Sequence, residues 1–151
     1  MRLSTKALYA VRAMVCLNLQ KGGEPVSIRE ISARERISLT YLEQLFAKLR
    51  RSDLVRSVRG PGGGYVLARP AAEIALDAII DSVEETLAPA SCVEQKEPCC
   101  HGEQCVTHQV WLELGERIRD FLASISIEDL SRDALERRRG DLLNPETGEL
   151  S

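Results

Sequence analysis

The sequence predicts a mainly α fold: a winged helix-turn-helix, then a cysteine-bearing cluster-binding loop, then a long C-terminal dimerisation helix. Two short helical segments, 28–35 and 39–51, lie either side of a break at Arg36-Ile37-Ser38. Two strand-like runs, Leu54–Arg59 and Tyr65–Ala68, flank Gly60-Pro61-Gly62-Gly63-Gly64, the composition of a hairpin with a mobile or closely approached tip. Trp111, Leu114, Ile118, Phe121 and Ile125 follow a 3, 4, 3, 4 spacing, an a/d seam sustained for about two heptads. A chain of 151 residues with 44% hydrophobic content suits one compact domain with an appended element.

Leu8, Val11, Met14, Val15 and Leu19 recur at helical spacing and predict a first helix from about Ser4 to Leu19, ended by Gly22 and Gly23. Cys16 sits among those apolar residues and is expected in the core. Ser27-Ile28-Arg29-Glu30 reads as a capping box that opens the second helix, and Ser38 as the N-cap of the third, Leu39–Arg51. In that third helix Leu39, Leu42, Leu45, Phe46 and Leu49 form a packing stripe. Thr40, Tyr41, Glu43, Gln44, Ala47, Lys48 and Arg51 fill the other face. Two short helices joined by a tight turn, the second with a polar outer face, make a helix-turn-helix, and the hairpin that follows makes it winged. A helix is expected over about 77–85, an irregular loop over 86–104 and the longest helix over about 106–124. The expected division is a winged helix-turn-helix over 1–85, a cluster-binding loop over 86–105, a dimerisation helix over 106–130 and a disordered polar tail over 131–151.

The net charge of −3 hides an asymmetry. Residues 1–70 hold 13 Lys or Arg against 5 Asp or Glu, a surplus of +8, whereas residues 71–151 hold 7 against 18, a balance of −11. A basic front half is drawn to a polyanion while an acidic rear half faces away. The glycine-rich stretch is no nucleotide-phosphate loop, since it lacks G-x-x-x-x-G-K-[ST] and joins two strands. No apolar run approaches the ~20 residues of a membrane span. Met1–Ala13 carries Arg2, Lys6 and Arg12 in place of a signal peptide's unbroken apolar core. A cytoplasmic location without a membrane partner is therefore expected.

Five residues able to bind a soft metal, Cys92, Cys99, Cys100, Cys105 and His108, fall within 17 positions. Cys105 and His108 stand three apart, so at a helix start both reach one side. Such a set suits an iron–sulfur cluster or zinc. The spacings between Cys92, Cys99 and Cys105 are wider than the C-x(2–4)-C pairs usual for structural zinc and favour the larger cluster.

Three strings carry a resemblance: Met1-Arg2-Leu3-Ser4-Thr5-Lys6-Ala7-Leu8-Tyr9-Ala10, Ile37-Ser38-Leu39-Thr40-Tyr41-Leu42-Glu43-Gln44-Leu45-Phe46, and Val58-Arg59-Gly60-Pro61-Gly62-Gly63-Gly64-Tyr65. With Cys105-Val106-Thr107-His108-Gln109-Val110-Trp111, they resemble the iron–sulfur cluster regulators of the Rrf2 group of bacterial winged-helix transcription factors, over about residues 1–130. The resemblance implies a homodimer of crossing long helices, each subunit binding one 2Fe–2S cluster through Cys92, Cys99, Cys105 and His108. The 92–99 segment is one residue longer than usual, so Cys100 is an alternative to Cys99. Sister regulators that sense nitric oxide use a 4Fe–4S cluster with an acidic residue in the first helix. Leu8 and the presence of His108 favour 2Fe–2S here.

The expected function is a DNA-binding transcription regulator, mainly a repressor of cluster-assembly genes, acting on double-stranded DNA at a palindromic operator. Thr40, Tyr41, Glu43 and Gln44 are expected in the major groove, where Gln44 suits adenine and Glu43 a cytosine amino group. Arg59 is expected in the minor groove, and Lys48, Arg50, Arg51 and Arg56 on phosphates. Ser38 and the bare backbone of Gly60, Gly62 and Gly63 complete the expected DNA-binding set. The dimer seam is Trp111, Leu114, Ile118, Phe121 and Ile125. Rival readings are a zinc-stabilised DNA-binding module, a nitric-oxide or redox sensor of the same family, and a small electron-transfer protein. Hydrolytic chemistry is disfavoured, with two histidines and no visible nucleophile–base pair.

Overall fold

Helix α1, Thr5–Asn18, is the element around which the others are arranged in the computed structural model, which describes residues 3–83, 87–90, 93 and 106–143. It packs against α2 (Ile28–Glu35), α3 (Leu39–Arg51), α4 (Leu76–Ser82), the second strand of the hairpin and the last helix. Its buried residues include Ala7, Ala10, Ala13, Met14 and Leu17, whereas Leu8 is 51% exposed. Of the predicted stripe, Met14 is buried and Val11 and Val15 are half-buried against the core, so Leu8 alone faces outward, and the alanines are the residues covered most completely. Alanines at three-residue spacing bring neighbouring helices close, and burying a larger residue there would force them apart.

The two helices that follow end where the sequence places them. The Ser27 N–H donates to Glu30 Oε2 at 3.3 Å and the Glu30 N–H to Ser27 Oγ at 3.2 Å, a complete capping box. Ser38 Oγ accepts from the Tyr41 N–H at 3.2 Å. Between α2 and α3 the chain turns through Arg36 in the left-handed region, at φ 56°. Ser32 stabilises this turn twice: its hydroxyl donates to the Ile37 carbonyl at 2.6 Å, and its carbonyl accepts the Ile37 N–H at 3.3 Å.

Strands β1 (Val55–Val58) and β2 (Gly64–Leu67) pair antiparallel, with Val55 opposite Leu67 and Val58 opposite Gly64. The other edge of β2 takes a bridge from Val26, with Tyr65 and Val26 exchanging backbone hydrogen bonds at 2.8 and 3.0 Å. Phe46 of α3 lies 4.7 Å, centroid to centroid, from the Tyr65 ring and ties the wing to α3.

The long rear helix is two helices, α5 (His108–Ala123) and α6 (Ile127–Leu143). This corrects both the single dimerisation helix over 106–130 and the disordered tail from 131, because the described part of that tail, to 143, is helical. The physical reason is anchoring at the start of α6. Leu76 N–H donates to the Ile125 carbonyl and Ile127 N–H to the Ile74 carbonyl, while Ile127 is fully buried. Ser131, buried on α6, accepts from Asn18 Nδ2 of α1 at 2.8 Å and donates to the Ile127 carbonyl at 2.7 Å. A polar sequence therefore winds into a helix because its first turn is built into the core. Among the described residues, no helix is long and apolar enough to cross a membrane.

The cap of α6 is a second reciprocal box. The Ser126 N–H donates to Asp129 Oδ2 at 2.9 Å, and the Asp129 N–H to Ser126 Oγ at 3.1 Å. The backbone bond from Ser126 holds the Asp129 carboxyl below the usual carboxylate range, helped by the Ser126 hydroxyl and, less, by Arg132. A depressed folded value adds stability that is present above the unfolded value and lost as pH falls through the folded one. Asp129→Asn is expected to lower the melting temperature at neutral pH. The gap to the parent chain should shrink below about pH 4. A gap independent of pH would contradict the ionised cap.

Candidate nucleic-acid interface and thiol-rich site

Helix α3 divides cleanly. Leu42, Leu45, Phe46 and Leu49 are buried, and Thr40, Gln44, Ala47 and Arg51, spaced 4, 3 and 4, form the exposed row on the opposite side. Ser38, Glu43 and Arg50 are exposed beside that row, while Tyr41 and Lys48 are half-buried. Lys48, Arg50 and Arg51 lie in the last turn, where cations also offset the helix dipole.

Two α1 residues that the sequence reading did not single out set the position of this helix. Tyr9 meets Tyr41 edge to face at 5.7 Å between centroids. Arg12 lies 5.5 Å from the Tyr9 ring centroid, bonds Glu35 Oε2 through Nε at 3.1 Å and donates from Nη2 to the Glu35 carbonyl at 2.7 Å. The exposed ion pair itself is worth about 0.2–1 kcal/mol, and the carbonyl contact adds a C-terminal cap to α2. Neither role leaves a local signal, since the partners lie 23 or more positions away.

On the wing, Arg56 and Arg59 are exposed. Gly60, Pro61, Gly62 and Gly63 form a type II turn, with Gly62 at φ 76° and the Gly63 N–H donating to the Gly60 carbonyl at 2.9 Å. A Cβ on Gly63 would stand 2.3 Å from the Val58 oxygen, and one on Gly64 would stand 2.4 Å from the Val26 carbonyl. The last two glycines therefore answer to close backbone approach within the chain. Only Gly60 and Gly62 have open space where a Cβ would point.

Of the thiol-rich set, Cys92, Cys99, Cys100 and Cys105 lie outside the described residues. His108 is half-buried and is the first residue of α5. Among the described residues no group of three or more His, Cys, Asp or Glu is gathered for a metal. Pro89 and Val93, which bracket Cys92 in sequence, pack on α5 at Gly115, where an ideal Cβ would lie 3.2 Å from Pro89 Cδ and 3.7 Å from Val93 Cγ1. The segment leading to Cys92 thus reaches the helix that His108 opens, and thiols with an imidazole are the donors that iron–sulfur clusters take. Cys16 is separate from this set. It is buried in the core, and burial pushes its thiol up, partly offset by a hydrogen bond from Arg34.

The seam on α5 is only partly open. Trp111, Leu114 and Phe121 are 37%, 40% and 64% exposed. Ile118 is half-buried against the small cluster of Ala7, Ile80 and Leu87, and Ile125, just beyond the end of α5, is half-buried against the main core.

The Rrf2 family, described as an iron-dependent transcriptional regulator, matches residues 3–133. The chain belongs to the Rrf2 family. It is 45% identical over 152 residues to the HTH-type transcriptional regulator IscR of Sodalis glossinidius (strain morsitans), covering 97% of this chain and 92% of that one. With IscR of Xenorhabdus nematophila it shares 48% identity over 133 residues, 88% of this chain and 80% of the relative. Among solved structures, T. potens IscR superposes with a TM-score of 0.73 at 37% identity, covering 89% and 88% of the two chains. CymR, the global cysteine regulator of B. subtilis, gives a TM-score of 0.75 at 30% identity, covering 87% and 97%. These Rrf2 relatives are transcriptional regulators rather than enzymes, and this chain is a DNA-binding regulator of the IscR/Rrf2 type.

Gly63→Ala in this Rrf2 chain is expected to cost about 1–3 kcal/mol, because no side-chain rotation relieves the overlap with the Val58 oxygen. The readout is a lowered denaturant midpoint at unchanged m-value. An unmoved midpoint would contradict the close turn.

Proposed function

We propose that this chain is a homodimeric repressor of iron–sulfur cluster assembly genes, which reads cluster supply through a 2Fe–2S cluster held by Cys92, Cys99 (or Cys100), Cys105 and His108. The observation that carries the reading is the placement of His108. It opens the helix that bears the exposed apolar seam and receives the cysteine-bearing segment, and that helix packs on the DNA-binding unit through Arg119 and Asp81, 3.0 Å apart. The names of the IscR relatives support the same reading.

When bound, the cluster supplies a labile occupancy signal and one-electron redox chemistry. The protein's own residues do the rest. One imidazole among the donors makes the ligand set proton-sensitive and weaker than four thiolates, as a sensor requires. Trp111, Leu114, Ile118, Phe121 and Ile125 meet the same residues of a second copy, and two-fold symmetry then presents two recognition helices to a palindromic operator. In each, Thr40, Tyr41, Glu43 and Gln44 face base edges. Arg59 enters the minor groove. Ser38, Lys48, Arg50, Arg51, Arg56 and the backbone at Gly60, Gly62 and Gly63 hold phosphates.

The deciding experiment is anaerobic purification with iron and sulfide assay. Equal iron and sulfide with visible absorption is expected. A colourless, zinc-containing protein would overturn the cluster, and a 4Fe–4S spectrum would overturn its type. His108→Ala should lose the visible absorption; a fully coloured variant contradicts this ligand set. Arg59→Ala should weaken duplex binding and reduce the slope of log affinity against log salt by about 1. An unchanged slope would remove Arg59 from the DNA.

A further inference from the structure

Among the described residues, two that are not glycine hold a left-handed backbone, Asp53 at φ 58° and Arg36 at φ 56°. Asp53 has the short polar side chain that this region tolerates, and it faces Arg69 at 3.9 Å. Neither point holds for Arg36. Its side chain is long and exposed, with no hydrogen-bond or ion-pair partner among the described residues. The two charged residues before it are engaged within the chain. Arg34 donates to Gln20 Oε1 at 3.1 Å, and Glu35 is paired with Arg12, 3.0 Å apart. The turn imposes the left-handed conformation on Arg36. The N–H groups of Arg36 and Ile37 both donate to the Ser32 carbonyl, and the Ser32 hydroxyl holds the Ile37 carbonyl at 2.6 Å. Glycine would adopt this conformation at least cost. Arginine here lowers folding stability for a side chain that binds nothing in the chain, and such strain is characteristic of functional positions.

We propose that Arg36 is a further DNA-contacting residue, which binds a phosphate at the edge of the groove that α3 enters. The proposal rests on the reading of α3 as the helix that meets base edges. Arg36 stands at the corner between α2 and α3, two residues before the Ser38 cap and four before Thr40, where the exposed row of α3 begins. In a helix-turn-helix the first helix crosses the sugar–phosphate backbone and the start of the second enters the major groove, so the corner between them lies at the phosphate rim. A guanidinium suits that place, being always charged and able to donate to two phosphate oxygens at once. A phosphate contact carries no sequence information, so Arg36 adds grip and register rather than choice of site. Folding favours glycine at this position and duplex binding favours arginine. One substitution should therefore move stability and affinity in opposite directions.

The test compares the parent chain with Arg36→Gly, Arg36→Lys and Arg51→Ala, at full length. The probes are a duplex selected by this protein from a random-sequence pool and an unrelated duplex of the same length. Arg36→Gly should melt higher than the parent chain by roughly 2–4 °C. It should nevertheless bind both duplexes several-fold more weakly, with the slope of log affinity against log salt reduced by about 1. Arg36→Lys retains the charge and the left-handed backbone and should keep the parent slope. A lower melting temperature in Arg36→Gly would overturn the strain on which the proposal stands. Weakening on the selected duplex alone would assign Arg36 to a base and overturn the phosphate contact. Unchanged binding in Arg36→Gly, with binding weakened in Arg51→Ala, overturns the role of Arg36 and leaves the reading of α3 intact. Unchanged binding in both overturns the placement of α3 on the duplex, and Arg36 with it.

Discussion

Close approach to one helix is the constraint on which the arrangement depends. Ala7, Ala10 and Ala13 of α1 are wholly buried, and α2, α3, α4, β2 and α6 all pack around that helix. Small side chains let backbones draw near and extend dispersion contacts along the helix. The same helix sends Tyr9 to Tyr41 and Arg12 to the end of α2, so the orientation of α3 is set from behind. It also receives α6 through Asn18 and Ser131. One element thus couples the reading surface to the rear of the chain.

The wing shows a different use of small residues. A run of glycines suggests mobility, and two of the four do serve a turn, Gly60 at φ 105° and Gly62 at φ 76°. Gly63 and Gly64 do the opposite. Each admits a neighbouring backbone so closely that any side chain is excluded, Gly63 against Val58 and Gly64 against Val26. The result is a short hairpin held on both edges of β2, with Arg56 and Arg59 carried on a fixed support.

Helix α5 has two faces with separate duties. One carries Trp111, Leu114 and Phe121 open to solvent, an apolar surface of the kind that subunit contacts cover. The other carries Gly115, against Pro89 and Val93, and Arg119, paired with Asp81 of α4.

Caps, turns and donor residue types were legible in the sequence. The Ser27–Glu30 box, the Ser38 cap and the hairpin between Val55 and Leu67 depend on partners a few positions apart or facing across one turn. The thiol-rich set was legible as composition, and the helix expected from about 106 begins at His108. Ser126 and Asp129, three apart, carry the same capping signal in the sequence. Only the tertiary structure decided that α1 buries alanines while Leu8 faces outward, that Ile125 packs against the core, and that residues 131–143 are helical. These outcomes turn on partners distant in sequence, 113 positions apart for Asn18 and Ser131. Periodicity reports which residues are apolar, but the competition among neighbouring elements for one helix face selects which of them are covered.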